Sequence, residues 1–261
     1  MSSVPSQVAP RASQYSPRFE TIQKGGYRCV SVEEGYRRWA ATYDRDLNPL
    51  LALEERRLGS MLPPLAGKRV LDLACGTGRW LAWILSQGAT FALGVDFSKA
   101  MLAGARVKAG LENRLVRADC RNTPFPAAAF DLVVCSFLLG HLAEFASVAR
   151  EVARVTAPGG SVYIGDLHPE AYARGWRTGF RDSCGAAEIM TWPHSVRELL
   201  VAWNSAGFKS LEIADCRLGE AERPIFNRAG KVHLFAEACQ APAVLILQFQ
   251  RKAPHVGTNL G

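Results

Sequence analysis

The sequence predicts an α/β fold: a doubly wound, mostly parallel seven-stranded sheet with an antiparallel last strand and lid helices at the N-terminus. Three observations predict it. From residue 68 onward, short apolar runs alternate with amphipathic stretches, several of which end in glycine. The runs are apolar at nearly every position, as parallel strands covered on both faces must be. The first run ends in an acid and a glycine turn, "VLDLACGTGRW" at residues 70–80.

Taken in order, residues 1–24 are rich in Ser, Pro and Gln and read as a disordered tail. Residues 25–253 read as one domain and 254–261 as a second tail. Two lid helices are expected near 32–43 and 48–61, with glutamates after Ser31 marking the first start and Pro63 and Pro64 stopping the second. Then come strand "KRVLDLAC", helix "GRWLAWILSQG", strand "TFALGVDF" and helix "SKAMLAGARVKAG", the last capped by Ser98. Strands "RLVRADC" and "FDLVVCSFLL" follow, then helix and turn "AEFASVAREVARVTAPGG" and strand "SVYIGDL". The stretch at about 166–195 breaks the rhythm. It is too long for a simple connection and too aromatic for disorder, so it reads as an insertion on the acceptor side. Helix "SVRELLVAWNSAG", strand "SLEIADCRL", a loop and strand "AVLILQFQRK" complete the chain, the last two strands pairing antiparallel at one edge.

A chain of 261 residues, 48% hydrophobic and 21% charged, is enough for one large domain with a sizeable core. No apolar run approaches the ~20 residues that span a bilayer, and no secretory leader is visible, so the expected setting is cytoplasmic without a membrane. Seven cysteines without a CxxC pair argue for reduced thiols and against a zinc site. The net charge of +7 is scattered along the chain, which gives a nucleic-acid partner little support. The lid helices could serve a homodimer, but nothing in them specifies one.

Ligands of open α/β sheets bind beyond the carboxyl ends of the strands, where the strand order reverses. Gly76 and Gly78 let the chain turn there and let a ligand approach the backbone. The third glycine of a dinucleotide fingerprint is replaced by Leu81, and no Lys-Ser/Thr pair follows as in a P-loop. Three acids stand at successive strand ends: Asp72, Asp96 in "GVDFS" and Asp119 in "RADC". One suits ribose hydroxyls, one an adenine amino group and one a cationic amine. A ligand that carries all three groups is S-adenosylmethionine.

The stretch from about Tyr36 to Gly165 resembles the class I S-adenosylmethionine-dependent methyltransferases, in particular the type 11 group that includes the ubiquinone and menaquinone methyltransferases. The resemblance rests on "VLDLACGTGRW", "GVDFSKAML", "ADCRNTPFPAAAFDLVVCSFLLGHL" and "APGGSVYIGDL", in that order. It implies that Asp72 and the backbone at Ala74, Cys75, Gly76 and Gly78 hold the methionine part of the cofactor. It implies Asp96 on the ribose, Phe97 and Met101 beside the adenine, and Asp119 with the Cys120 N–H on its edge. Ser136 would lie near the sulfonium, and Tyr43, in "WAATYD", would close over the site. Arg79 departs from the small or aliphatic residue expected there and reads as pointing outward.

Methyl transfer needs approach geometry and exclusion of water, with a base only where the acceptor loses a proton and with no metal. His168, after the fifth strand, and His141, after the fourth, are the candidate bases; His194 reads as a turn histidine. Tyr172, Trp176, Phe180, Arg181 and Trp192 are the candidate lining for an acceptor, with Arg177 nearby. These residues point to a small, aromatic or apolar acceptor methylated on oxygen or carbon, with S-adenosylhomocysteine as the second product. Three alternatives remain open from sequence: a non-methylating cyclase or regulator that binds the same cofactor, an RNA methyltransferase, and, disfavoured by Leu81 and Asp119, a nicotinamide dehydrogenase.

Overall fold

The computed structural model describes residues 28–253; the stretches read as tails, 1–24 and 254–261, lie outside the described residues. The described residues open with a short strand, β1 (Arg28–Val30), and the lid helices α1 (Val32–Trp39) and α2 (Pro49–Met61). The alternating region runs β2 (Arg69–Leu73), α3 (Arg79–Ser86), β3 (Phe91–Asp96), α4 (Lys99–Arg106), β4 (Leu115–Arg117), β5 (Phe130–Ser136), α5 (Ala146–Val155) and β6 (Thr156–Leu167). The insertion holds α6 (Pro169–Ala173) and a hairpin of β7 (Gly179–Asp182) and β8 (Gly185–Ile189). Then come α7 (Val196–Ser205), β9 (Phe208–Cys216), α8 (Arg223–Arg228), α9 (Phe235–Ala238) and β10 (Val244–Arg251).

The seven strands of the main sheet lie in the order β4-β3-β2-β5-β6-β10-β9. Only β10 runs antiparallel, to both β6 and β9. The chain starts in the middle at β2, winds outward to β4, then returns to β5, so strand order reverses between β2 and β5. Alternate residues of each strand face opposite layers. Val70, Leu132, Val134 and Ile246 pack with α2, α3, α8 and α9; Leu71, Val133, Cys135 and Leu247 pack with α5 and α7. Two buried layers explain why the strands read as continuous apolar runs. The helices start where their caps are: the Ser31 hydroxyl accepts from Glu34 N–H, and Ser195 with Glu198 forms a reciprocal capping box. Among the described residues no helix is long and apolar enough to cross a membrane.

Three segments depart from the sequence reading. The stretch "TAPGG", expected as a turn, already belongs to β6, because Thr156 pairs with Phe130 before a register shift lets Ser161 pair with Leu132. The loop expected after β9 contains α8 and α9, where Phe226 and Phe235 meet edge to face at 5.3 Å between ring centres. Helices this short carry no periodic signal. The insertion is not separate from the lid: β1 adds to β8 in parallel, giving a small sheet of order β1-β8-β7. Val30, Trp39, Phe180, Ala187 and Ile189 form its core with α1.

The turn after β2 is tightly determined. Its backbone takes positive φ at Ala74 (58°), Gly76 (55°) and Gly78 (76°). A Cβ on Gly78 would stand 2.6 Å from Leu111 Cδ1 and 3.3 Å from Ala105 Cβ, whereas one on Gly76 would meet only the flexible end of Met101 at 3.3 Å. Gly78→Ala is therefore expected to cost about 2–4 kcal/mol and Gly76→Ala about 1–2 kcal/mol. Urea unfolding of the two variants checks both the sizes and their order.

Candidate active site

A cavity of about 480 Å³ opens at the reversal of strand order, over the carboxyl ends of β2 to β5. Of the residues expected at a cofactor, Tyr43, Ala74, Gly76, Asp96, Phe97, Met101, Asp119, Cys120 and Ser136 line it. Asp96 closes β3, and its two carboxylate oxygens each accept one backbone N–H, from Gly76 at 2.8 Å and Ser98 at 2.7 Å. Each oxygen keeps a second lone pair. Burial pushes this carboxyl above the usual range and the two N–H donors pull it back. Phe97 is 53% exposed, and the Arg117 guanidinium lies 5.6 Å from its ring centre. Asp119 is held by the Arg121 side chain through bonds of 2.6 to 3.1 Å, which keeps its carboxyl below the ordinary value. Burial pushes the Cys120 thiol up to about 12, so it stays neutral.

Asp72, Cys75 and Gly78 stand behind the wall rather than on it. Asp72 is buried, and its carboxylate accepts the Leu81 N–H at 2.9 Å. Gly78, the residue before α3, has no side chain to cap the helix, so an acid from the neighbouring strand does so. Burial raises Asp72 to about 7, against the pull of Arg79. Cys75 packs where a Cβ on Gly94 would otherwise sit.

Arg79 points inward, contrary to the sequence reading. Its guanidinium bonds Glu54 at 2.8 Å, Glu55 at 3.0 Å and the Ser136 hydroxyl at 3.1 Å. Glu54 on α2 is fully buried and also accepts the indole N–H of Trp80. The partner of Arg79 lies on the lid, about 25 residues earlier in sequence, which no local pattern announces.

The two candidate bases part company. His141 lines the cavity, with Nε2 2.8 Å from the Tyr36 hydroxyl and Nδ1 3.3 Å from the Met190 carbonyl. Burial lowers its pKa to about 4. His168 lies outside the cavity lining: its Nδ1 accepts the Glu170 N–H at 3.0 Å and caps α6, and its Nε2 meets Asp215 on β9. His194 anchors a turn through the Leu142 carbonyl.

The expected acceptor residues gather in the lid and insertion, around the cavity rather than on it. Phe180 stacks on Trp39 at 5.5 Å, and Tyr172 packs on Gly140. Trp176 and Leu50 of α2 pack against the cluster of Leu167, Ala171 and Tyr172, Trp192 donates its backbone N–H to the Gly140 carbonyl, and Arg181 is exposed. Tyr36 and Phe137, which the sequence reading passed over, line the cavity instead. The seven-residue spacing of Tyr36 and Tyr43, two helical turns, is the signal that could have found the first. Phe137 takes a left-handed φ of 51° just past β5, which nothing in sequence marks. Among the described residues no group of His, Cys, Asp and Glu is arranged to hold a metal ion.

Two outcomes follow from the buried charges. Because the folded pKa of Asp72 lies above the unfolded value near 4, its contribution to stability is complete below about pH 4 and is lost as pH rises through about 7. Asp72→Asn is expected to flatten that fall, which is on the order of a few kcal/mol, in urea titrations between about pH 5 and pH 8. Arg79→Leu alone is expected to cost about 3–5 kcal/mol by orphaning Glu54, and the Glu54→Leu/Arg79→Leu double variant less than that. Unfolding free energies of the singles and the double variant check it.

A family model described as a methyltransferase domain matches residues 70–160. The demethylmenaquinone methyltransferase of Clavibacter sepedonicus is 32% identical over 200 residues, 66% of this chain and 80% of that protein. The demethylmenaquinone methyltransferase of Thermus thermophilus is 42% identical over 119 residues, 44% of this chain and 54% of that protein, so the chain spans about half of that relative's length. Among solved structures, an S-adenosylmethionine-dependent methyltransferase from Mesorhizobium loti matches with a TM-score of 0.63 and 26% identity, over 78% of this chain and 100% of the other. The sheet order, the glycine turn with its acid-lined crevice and the length of these matches agree: the chain belongs to the class I S-adenosylmethionine-dependent methyltransferases.

Proposed function

We propose that this protein transfers a methyl group from S-adenosylmethionine to an oxygen or carbon of a small, aromatic or otherwise apolar molecule. The observation that carries the reading is Asp96. It sits at a strand end on the cavity wall, fixed by two backbone N–H groups, with a lone pair left on each oxygen. That is what a pair of ribose hydroxyls requires.

S-adenosylmethionine, when bound, supplies an electrophilic methyl carbon on a sulfonium. The residues here bind and orient. Phe97 and Met101 offer apolar surface to an adenine ring beside Asp96. Asp119 stands on the cavity wall, where its oxygens accept the backbone N–H, Nε and Nη2 of Arg121, so an adenine amino group takes its place there by displacing an Arg121 donor. The backbone of Ala74 and Gly76, in left-handed conformation, brings the main chain to the ligand without a bulky side chain between them. Ser136, held by Arg79, lies at the end of β5 where the sulfonium would lie. His141 is the histidine on the cavity wall and takes the catalytic role in this reading; His168 caps α6 and serves the frame. The name of the two curated relatives, demethylmenaquinone methyltransferase, supports a small-molecule acceptor.

Calorimetric titration with S-adenosylmethionine and S-adenosylhomocysteine tests the reading. Micromolar binding of both is expected, weakened at least about 100-fold by Asp96→Ala, the loss of two hydrogen bonds to a charged group. Well-folded protein that takes up neither ligand would overturn it.

A further inference from the structure

A second cavity of about 240 Å³ adjoins the first. Tyr36, Tyr43 and Phe137 line both, so the two cavities meet at these three rings. Trp39, Leu50 and Leu167 add apolar lining to the smaller cavity, beside the polar Asp46, Asn48, Arg177 and Thr178. The charged groups at its rim are already engaged. The Asp46 carboxylate accepts the Trp39 indole N–H and the Thr42 hydroxyl. Arg177 donates to the carbonyls of Tyr172 and Trp176 and lies 3.6 Å from Glu188. The volume is below the roughly 300 Å³ at which drug-sized pockets begin, which limits the occupant to about one ring.

The junction carries a polar device. A carbonyl only accepts, so the contact with Met190 fixes the proton of His141 on Nδ1. Nε2 is then an acceptor, and the hydrogen bond of 2.8 Å to Tyr36 has the phenol donating. The phenol oxygen keeps its own lone pairs, and the accessible surface of Tyr36 faces the two cavities. Because Nε2 is occupied, His141 reaches an acceptor only through Tyr36.

We propose that the smaller cavity receives a hydroxylated arene of about one ring, and that Tyr36 is the catalytic residue that accepts its hydroxyl proton while passing its own to His141. The proposal rests on the methyltransferase reading above. In the step, an oxygen of the acceptor, or a ring carbon conjugated to it, forms a bond to the methyl carbon as the carbon–sulfur bond breaks with its electron pair on sulfur. The acceptor O–H bond breaks, its proton goes to the Tyr36 oxygen, and the Tyr36 proton goes to Nε2 of His141. Where a ring carbon is methylated, a dienone is left; its ring carbon then gives its proton to water and its carbonyl oxygen takes one up, which restores the phenol. The low basicity of a buried imidazole is offset in this step: the positive charge that appears on His141 replaces the one that disappears from sulfur, so the cavity never gains net charge. The other titratable groups that act on Tyr36 are Tyr43 in the lid, Asp166 on β6, Asp96 on β3 and Tyr172 on α6. Burial brings Asp166 to about 6, so it is already ionised in an alkaline window.

The test uses the full chain and a phenol series of rising acidity: 4-methoxyphenol, phenol and 4-nitrophenol. Binding of each is measured on protein saturated with S-adenosylhomocysteine, and S-adenosylhomocysteine formation is measured from S-adenosylmethionine between about pH 7.5 and pH 10. Wild type is expected to bind and methylate the phenols. Tyr36→Phe is expected to leave cofactor Kd and phenol KM within about twofold while lowering kcat about 100-fold for 4-methoxyphenol. The loss should shrink with rising pH and for 4-nitrophenol, which ionises by itself. His141→Gln should lower kcat in the same pattern. Protein that binds S-adenosylhomocysteine but no phenol, or binds phenols without methylating them, overturns this proposal and leaves the cofactor reading standing. So does a Tyr36→Phe loss that is equal at every pH and for every phenol, the mark of a packing role. Failure to bind either cofactor form brings down the earlier reading as well.

Discussion

The carboxylate of Glu54 has no contact with solvent, and the arrangement of the site depends on how it is satisfied. It takes the Arg79 guanidinium and the Trp80 indole from the first turn of α3 while belonging itself to lid helix α2. Arg79 passes the constraint on to Ser136 at the end of β5. One buried charge thus joins the lid, the helix after the glycine turn and the strand beyond the reversal point. Such a pair adds little net stability over apolar packing, but its geometry admits few alternatives. The sheet makes room for it at Gly165 of β6, where any Cβ would stand 2.7 Å from Glu54 atoms.

The frame was legible in the sequence because its causes are local. Each central strand is apolar on both faces, the turns at Gly76, Gly88 and Gly110 and the capped starts at Ser98 and Ser195 are marked in the chain, and Asp96 and Asp119 fall at or just past strand ends by simple counting. The path of Arg79 was not legible, since its direction is decided by Glu54 on an element that nothing in the local pattern associates with it. The same holds for the lid. Val30 and Ile189 are distant in sequence, and neither three-residue β1 nor the short hairpin strands carry a pattern strong enough to pair by inspection. Asp72 illustrates a subtler case. Its place at the end of β2 was readable, but the Leu81 N–H it satisfies belongs to the next helix, so its first task is a structural one.

The cavity wall also holds strain at matched places. Ala74 and Phe137, both non-glycine residues in left-handed conformation, follow β2 and β5, which pair directly. A left-handed alanine or phenylalanine costs about 1–2 kcal/mol. Both are held where the surrounding contacts over-determine the backbone: Cys75 N–H bonds Val95 and Phe137 N–H bonds Gly165. Both residues line the crevice.

The parallel pairing of β1 with β8 has a consequence for the order in which the molecule is made. Arg28 leaves the ribosome early, yet its partner Ala187 is synthesised only after five of the seven main strands, β2 to β6. Contacts so far apart in sequence close late, because the loop between them must first be organised. Strands β2 to β6 and the glycine turn can therefore form around an open crevice before the roof is made, while β9 and β10, which complete the sheet, are synthesised after β8. A nascent chain that stops short of β8 has the floor of the site without its cover.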